Sequence, residues 1–393
     1  MVNPYPRLCA VSFKECWQDS DGRWYSSGGF PLQMAAIGSL FASMTLLITR
    51  SDRPGEGGLA LPAAARIVAL RKPEGTDLRR KLSILRLLPY YVSTIATSFR
   101  DADCVHVPLP GDIPLIGAAI AVAMKRPLIA RYCGSWAATA STTIMNRVTR
   151  LFMRAFSGGR NVMLATGESE RPPADGIRWI FATSLSDEEL ARITAATQRG
   201  LSDPPRLAYV GRLSAEKGVA NLLKALAELE REGLRPAPRL QLIGDGPDRA
   251  ELEALASRLG LSERVHFSGQ LDRKALSAAL AASDLCVQPS LTEGYSKAWL
   301  DAFAHGLPVV ASEAGAARAV VGTERGWLVP PGDVARLAAA IREAVAVPRD
   351  WPALRRRCRA FAEGRTLEAW SAEIGRLCSE RWKAPLPAER RIA

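Results

Sequence analysis

The chain has 393 residues, of which 48% are hydrophobic and 23% charged. That excludes a disordered chain, and the length suits two domains, each with its own core. Lys and Arg exceed Asp and Glu by 12, unevenly: residues 1–182 carry 22 basic against 13 acidic side chains, net +9, and residues 183–393 carry net +3. The seven cysteines include no C-x-x-C and no zinc-finger spacing, which fits reduced thiols in a cytoplasmic protein rather than a disulfide scaffold. The basic first half suits an anionic partner (a phospholipid surface, a lipid phosphate or a nucleic acid) or a merely solvated basic surface.

In chain order, "MVNPYPRLCAVSF" lacks the uninterrupted apolar run of a signal peptide. Within it "LCAVSF" (8–13) predicts a first strand. From Ser26 to Thr49 there is no charge, long enough for a membrane span. Pro31, Gln33 and Gly38 interrupt it, so a turn and helix over "GGFPLQMAAIGSLFAS" and a strand over "MTLLI" (44–48) are expected instead. "TDLRRKLSILRLLPYYVSTIATSFR" (76–100) places cations beside apolar positions. It reads as an interfacial helix for a lipid-linked acceptor, or as a packed helix with a basic solvent face. "GESERPPADGIRWIFATSLSDEEL" (167–190) has linker composition, and a domain boundary is expected near 168–187. Strands are then expected over 206–210, 239–243, 264–267, 284–290 and 307–312, alternating with helical patterns. Such alternation argues an α/β fold with parallel sheets. A last amphipathic helix is expected at about 367–385, followed by a frayed tail. There is no internal repeat.

Several short motifs carry little. "DAD" (101–103) has the D-x-D spacing of some metal sites but directly precedes the strand-like "CVHVPL" and brings no further oxygen ligands. "DSD" (19–21) is weaker. No Walker A spacing and no G-x-G-x-x-G after the first strand are present. His106, His266 and His305 are too scattered to suggest a metal centre.

Three stretches of the second half do hold together. "YVGRLSAEKGVANLLKAL" (209–226) reads as strand, loop and helix, with Arg212 and Lys217 delivered near a helix N-terminus. That arrangement suits a phosphate or pyrophosphate. In "LIGDGPDRAELEAL" (242–255), Gly244 and Gly246 allow a ligand or another backbone to approach closely. "EGYSKAWLDAFAHGLPVV" (293–310) sets Glu293 and Asp301 eight positions apart around a helix predicted from Tyr295 to His305. If mostly helical, the gap is about 12 Å, too far for one hydrolytic bond but suited to the two ends of an extended ligand. A nucleotide diphosphate sugar fits: sugar hydroxyls on Glu293, diphosphate on Arg212 and Lys217, ribose on Asp301.

The second half resembles the retaining glycosyltransferases of family 4, which have the GT-B fold. "GRLSAEKG", "GDGP", "VHFSGQL" and the E-x7-E-like "EGYSKAWLDAFAHGLPVVAS" occur in the family's order, strongly over about 205–335 and loosely in the first half through "SSGGFPLQ". The resemblance implies two Rossmann-like domains facing a cleft. The first, 1–182, would be acceptor-side and joined by the final helix crossing back; the second, 183–366, would bind the nucleotide sugar. It implies transfer to an acceptor hydroxyl without metal or other cofactor, with no nucleic acid as partner, in cell-surface polysaccharide or glycolipid synthesis. The place would be the cytoplasm, at the inner membrane face if peripheral contact is made.

Carried over by motif, Arg212 and Lys217 bind the departing diphosphate and Glu293 the transferred sugar. Gly211 and the backbone at Gly294, Tyr295, Ser296 and Lys297 support the donor. Leu271 lies against the base, and Gly28 and Gly29 line the phosphate side. Two departures stand out. The second acid is Asp301 rather than Glu, one methylene shorter. In "PLIARYCGSW" (127–136) Cys133 occupies a place where the family often has His, leaving His106 as a second acceptor-side candidate. These departures keep open a non-catalytic nucleotide-sugar-binding protein or partner subunit. A sugar-nucleotide epimerase is a further alternative.

Overall fold

The computed structural model describes residues 6–55, 58–137, 142–195, 197–347 and 349–383. The first five residues and the tail expected to fray from 384 onward lie outside them. The chain divides into two compact units, Met1–Ser184 with Leu367–Ala393, and Leu185–Thr366.

The first unit runs β1 (Arg7–Gln18), β2 (Trp24–Ser27), α1 (Phe30–Gly38), β3 (Ser43–Arg50), β4 (Gly58–Ala60), β5 (Ala65–Leu70), α2 (Asp77–Arg100), β6 (Cys104–Leu109), α3 (Asp112–Ala123), β7 (Leu128–Tyr132), α4 (Ile144–Ala155), β8 (Val162–Thr166) and β9 (Ile177–Ile180). Parallel strands lie in the order β5-β3-β1-β6-β7-β8-β9, while β2 and β4 form an antiparallel ribbon off the end of β1. Every residue of β6, β7 and β8 is buried, because helices cover both faces of the sheet. The strand order reverses between β1 and β6, the switch point of a doubly wound sheet.

The charge-free stretch 26–49 folds as the end of β2, then α1 and β3. Among the described residues no helix is long and apolar enough to cross a membrane. The expected linker needs correction: it contains β9, which pairs with β8. Ile177 and Ile180 are buried, Arg178 is exposed and Trp179 packs half-buried against the core, a four-residue signal hidden among Pro and Gly.

The second unit runs α5 (Asp187–Arg192), β10 (Arg206–Val210), α6 (Val219–Arg231), β11 (Arg239–Ile243), α7 (Arg249–Arg258), β12 (Val265–Gly269), α8 (Arg273–Ala281), β13 (Leu285–Gln288), α9 (Lys297–Ala304), β14 (Val309–Ser312), α10 (Ala317–Val320), β15 (Gly326–Val329), α11 (Val334–Ala346) and α12 (Trp351–Glu363). Its sheet is wholly parallel in the order β12-β11-β10-β13-β14-β15, reversing between β10 and β13. Leu222 and Leu226 of α6 share one core with Leu337 and Ile341 of α11, each pair one helical turn apart. At the amino edge of β13 the fully buried Asp284 accepts from the Arg206 N–H at 2.9 Å and from the guanidinium groups of Arg199 at 3.1 Å and Arg355 at 3.3 Å.

α13 (Leu367–Trp382) belongs to the first unit. Its Trp370, Ile374 and Cys378 join Met34 and Ile37 of α1 in one core.

Candidate active site

In the second unit the loops leaving β10 and β13 emerge side by side at the carboxyl edge of the sheet, where doubly wound folds bind ligands. Gly218 closes the first loop with φ +67°, and a Cβ there would sit 2.1 Å from the Pro289 carbonyl. Only glycine allows that approach. The Leu291 N–H donates to the Glu216 carbonyl at 2.8 Å, tying the loops together.

The result is an ion pair across 76 residues of sequence: Lys217 Nζ is 2.8 Å from Glu293 Oε2, with both side chains half-buried. Glu293 Oε1 also accepts the Gly294 N–H at 3.2 Å. Arg212 is exposed on the same loop, and its carbonyl accepts the Tyr209 hydroxyl at 2.8 Å. The Ser214 hydroxyl, donating to Glu216 at 2.7 Å, holds that carboxyl below its ordinary range, and the charges of Lys217 and Arg212 add to the effect. Burial pushes the Tyr209 phenol up, and the charge on Glu293 adds to it.

The glycine turn after β11 serves backbone packing. A Cβ on Gly244 would lie 1.9 Å from the Gly211 carbonyl, and one on Gly246 would lie 2.2 Å from that of Leu213. Of the two uses open to these glycines, the approach of another backbone is the one observed. Gly211 donates to the Ile243 carbonyl at 2.9 Å.

Helix α9 starts at Lys297 with Ser296 as its N-cap residue, so Gly294 and the buried Tyr295 belong to the loop. The expected helix from Tyr295 and the 12 Å gap therefore need correction: half of the interval between Glu293 and Asp301 is not helical. Asp301 is buried on α9, with Oδ1 3.1 Å from Arg273 Nη1; Arg273 Nη2 lies 2.6 Å from Glu189 of α5. Sequence reading missed Arg273 and Glu189. Their pairing spans 28 and 84 residues and has no local signature. His305 caps this helix, its ring engaged by Ser277 and the Asp301 carbonyl, both at 2.8 Å. Leu271 is half-buried just before Asp272, the N-cap of α8.

In the first unit, Gly28 (φ +74°) and Gly29 lead into α1, with open space where a Gly28 side chain would stand. Cys133 is exposed directly after β7, its N–H donating to the Leu109 carbonyl at 2.6 Å. His106 needs correction as an acceptor-side candidate. It has no exposed surface, and one ring nitrogen lies 3.0 Å from the Ile129 carbonyl. Burial first, and the Arg131 charge second, lower its pKa to about 3. Asp103 of the D-x-D spacing takes the backbone and guanidinium of Arg7, at 3.0 and 2.9 Å, at the opposite edge of the sheet from the ligand-binding ends. Among the described residues no group of three His, Cys, Asp or Glu is placed to hold a metal.

Lys217 and Glu293 thus lie at the switch point of the second sheet. Residues 194–365 match the family model for glycosyl transferases group 1. Glycogen synthase of Mycobacterium tuberculosis H37Rv is 36% identical over 173 residues, 44% of this chain and 41% of that protein. A GDP-mannose-dependent alpha-(1-6)-phosphatidylinositol monomannoside mannosyltransferase of Mycolicibacterium smegmatis is 34% identical over 167 residues, 40% of this chain and 43% of that protein. The chain thus spans less than half the length of these two curated relatives. The whole fold is similar to that of sucrose-phosphate synthase from Thermosynechococcus elongatus, with a TM-score of 0.71 and 20% identity over 96% of this chain and 99% of that one. It is equally similar to Anabaena HepE in complex with UDP and glucose, with a TM-score of 0.71 and 19% identity over 96% and 100%. The likeness is in the fold: two parallel-sheet Rossmann-like bodies, the GT-B architecture of glycosyltransferases.

Proposed function

We propose that this protein is a retaining, metal-independent glycosyltransferase that moves a sugar from a nucleotide diphosphate sugar to an acceptor hydroxyl. The observation that carries the reading is the Lys217–Glu293 pair, set beside Arg212 at the switch point of the second sheet. Arg212 and Lys217 take up charge on the departing diphosphate, while Glu293 receives sugar hydroxyls. The N–H groups from Gly294 to Lys297 support sugar and phosphate at the start of α9. The acceptor hydroxyl attacks from the face the diphosphate leaves, so the anomeric configuration is kept. The acceptor side belongs to the first unit, where Cys133 is exposed directly after β7. The names of the relatives, glycogen synthase and a phosphatidylinositol monomannoside mannosyltransferase, favour polysaccharide or glycolipid synthesis, with peripheral contact at a membrane face through the basic first unit.

A thermal-shift titration with UDP, GDP, ADP, dTDP and their sugar conjugates in EDTA tests this, since binding to the native state raises the midpoint. A shift for one base, abolished by Arg212→Ala with Lys217→Ala, is expected. NMR of the product then reads the anomeric configuration. An inverted product defeats retention, and loss of activity in EDTA defeats metal independence. Binding without transfer to any acceptor favours the non-catalytic reading left open by Asp301, whose carboxylate Arg273 already engages.

A further inference from the structure

The first unit holds a groove of about 1410 Å³ that the donor reading does not use. It lies off the carboxyl ends of β1, β3 and β5, and the first turns of α2 form one wall. Six of its lining side chains are Arg or Lys, and three are Asp or Glu. Three of the cations are paired: Lys72 with Glu15 at 2.8 Å, Arg50 with Asp52 at 3.5 Å, and Arg80 with Asp112 at 3.4 Å. Arg79 and Arg86 have no carboxylate partner among the described side chains, and they stand two turns apart on α2.

The wall is built in place. The Glu74 N–H donates to Ser83 Oγ at 2.9 Å, and the Tyr91 hydroxyl donates to the Arg71 carbonyl at 2.8 Å. Gly75 takes φ +77°, and a Cβ there would lie 2.8 Å from that of Arg79, so the loop rests against the first turn of α2. Thr76, the N-cap residue, makes no side-chain capping bond, which leaves the helix start directed at the groove rim. Unpaired guanidinium groups beside an uncapped helix start form a site for a small, multiply charged anion.

We propose that this groove binds a phosphate or diphosphate group of the acceptor, or of the lipid that carries it. The proposal rests on the transfer reading for the word acceptor, but not for the anion. Leu82 lines the same groove and, with Leu78 and Leu85, is well exposed along α2. That apolar margin is what would separate a lipid-borne phosphate from a soluble one.

The test is calorimetric titration of the full chain with pyrophosphate. Arg79→Gln with Arg86→Gln is expected to weaken binding at least tenfold, both in the wild-type chain and in one carrying Arg212→Gln with Lys217→Gln, which removes the donor loop's own diphosphate contacts. Wild-type affinity in the Arg79→Gln/Arg86→Gln variant, or no pyrophosphate binding by the wild type, overturns the proposal. Failure of the donor reading is seen separately, as no thermal response to any nucleoside diphosphate in either protein. Sedimentation with phosphatidate vesicles identifies the source. Vesicle binding lost in Leu78→Ser/Leu82→Ser/Leu85→Ser, with pyrophosphate binding kept, assigns a lipid phosphate. Glycerol 3-phosphate binding as tightly as the vesicles assigns a soluble one.

Discussion

Lys217 Nζ lies 2.8 Å from Glu293 Oε2 although 76 residues separate them, and Gly218 and Gly315 make the approach possible. A Cβ on Gly315 would sit 2.3 Å from the Glu293 carbonyl, so both loops are held by glycines that no other residue replaces without strain. A partly exposed pair of this kind contributes at most about 1 kcal/mol to stability. On the proposed function its value is in catalysis. Lys217→Ala is expected to lower kcat by about 10²–10³-fold with little change in melting temperature. Turnover within a few-fold of wild type would remove Lys217 from the chemistry.

Asp284 and Arg355 are both fully buried, with Arg199, Ser202 and the Arg206 N–H completing the cluster. Removing one charge strands the other. Asp284→Asn is expected to cost about 3–5 kcal/mol, read as a lower urea midpoint at an unchanged slope. A cost under about 1 kcal/mol would mean that water reaches the cluster.

His106 is held neutral. Its pKa falls from 6.5 to about 3, through burial first and the Arg131 charge second, opposed by the Ile129 carbonyl. The contribution is fully present above the unfolded pKa of about 6.5. It is lost as pH falls from there toward 3, by up to about 1.4 kcal/mol per pH unit. Melting curves from pH 7 to 5 should therefore fall more steeply for wild type than for His106→Gln. Parallel curves would show that the ring is not kept neutral.

Of seven cysteines only Cys133 is exposed, and burial pushes the Cys16 thiol up to about 11 and that of Cys9 to about 12. Brief treatment of the native protein with iodoacetamide should add one label, absent from Cys133→Ser, by intact mass. The labelled protein should keep nucleotide binding and lose transfer. Several rapid labels would contradict the burial, and full transfer by the labelled protein would remove Cys133 from the acceptor side.

Much of the second unit was legible because its signals are local. Short, mostly apolar runs at 206–210, 239–243 and 307–312, alternating with helical patterns, are the mark of strands in a parallel sheet covered by helices. Motif order assigns the basic loop and Glu293 to different parts of one ligand, without pairing them. The first unit was less legible. β2, β4 and β9 are three or four residues long, too short to show a period, and α2 both buries Tyr91, Ile95 and Phe99 and exposes leucines, so its apolar positions do not form one stripe. His106 reads in sequence like a site residue because nothing local reports that β6 is covered on both sides.

By itself the sequence determined the α/β alternation, the glycines that permit close loops, and the cations and carboxylates available to a diphosphate sugar. These follow from short-range pattern and residue chemistry. Only the tertiary structure decided which charges meet: Lys217 with Glu293, Asp301 with Arg273, Asp284 with Arg355, and Arg79 and Arg86 with no carboxylate among the described side chains. The physical reason is that an ion pair is set by where the sheet order brings two loop ends together, and that order is fixed by the packing of whole helices on whole strands.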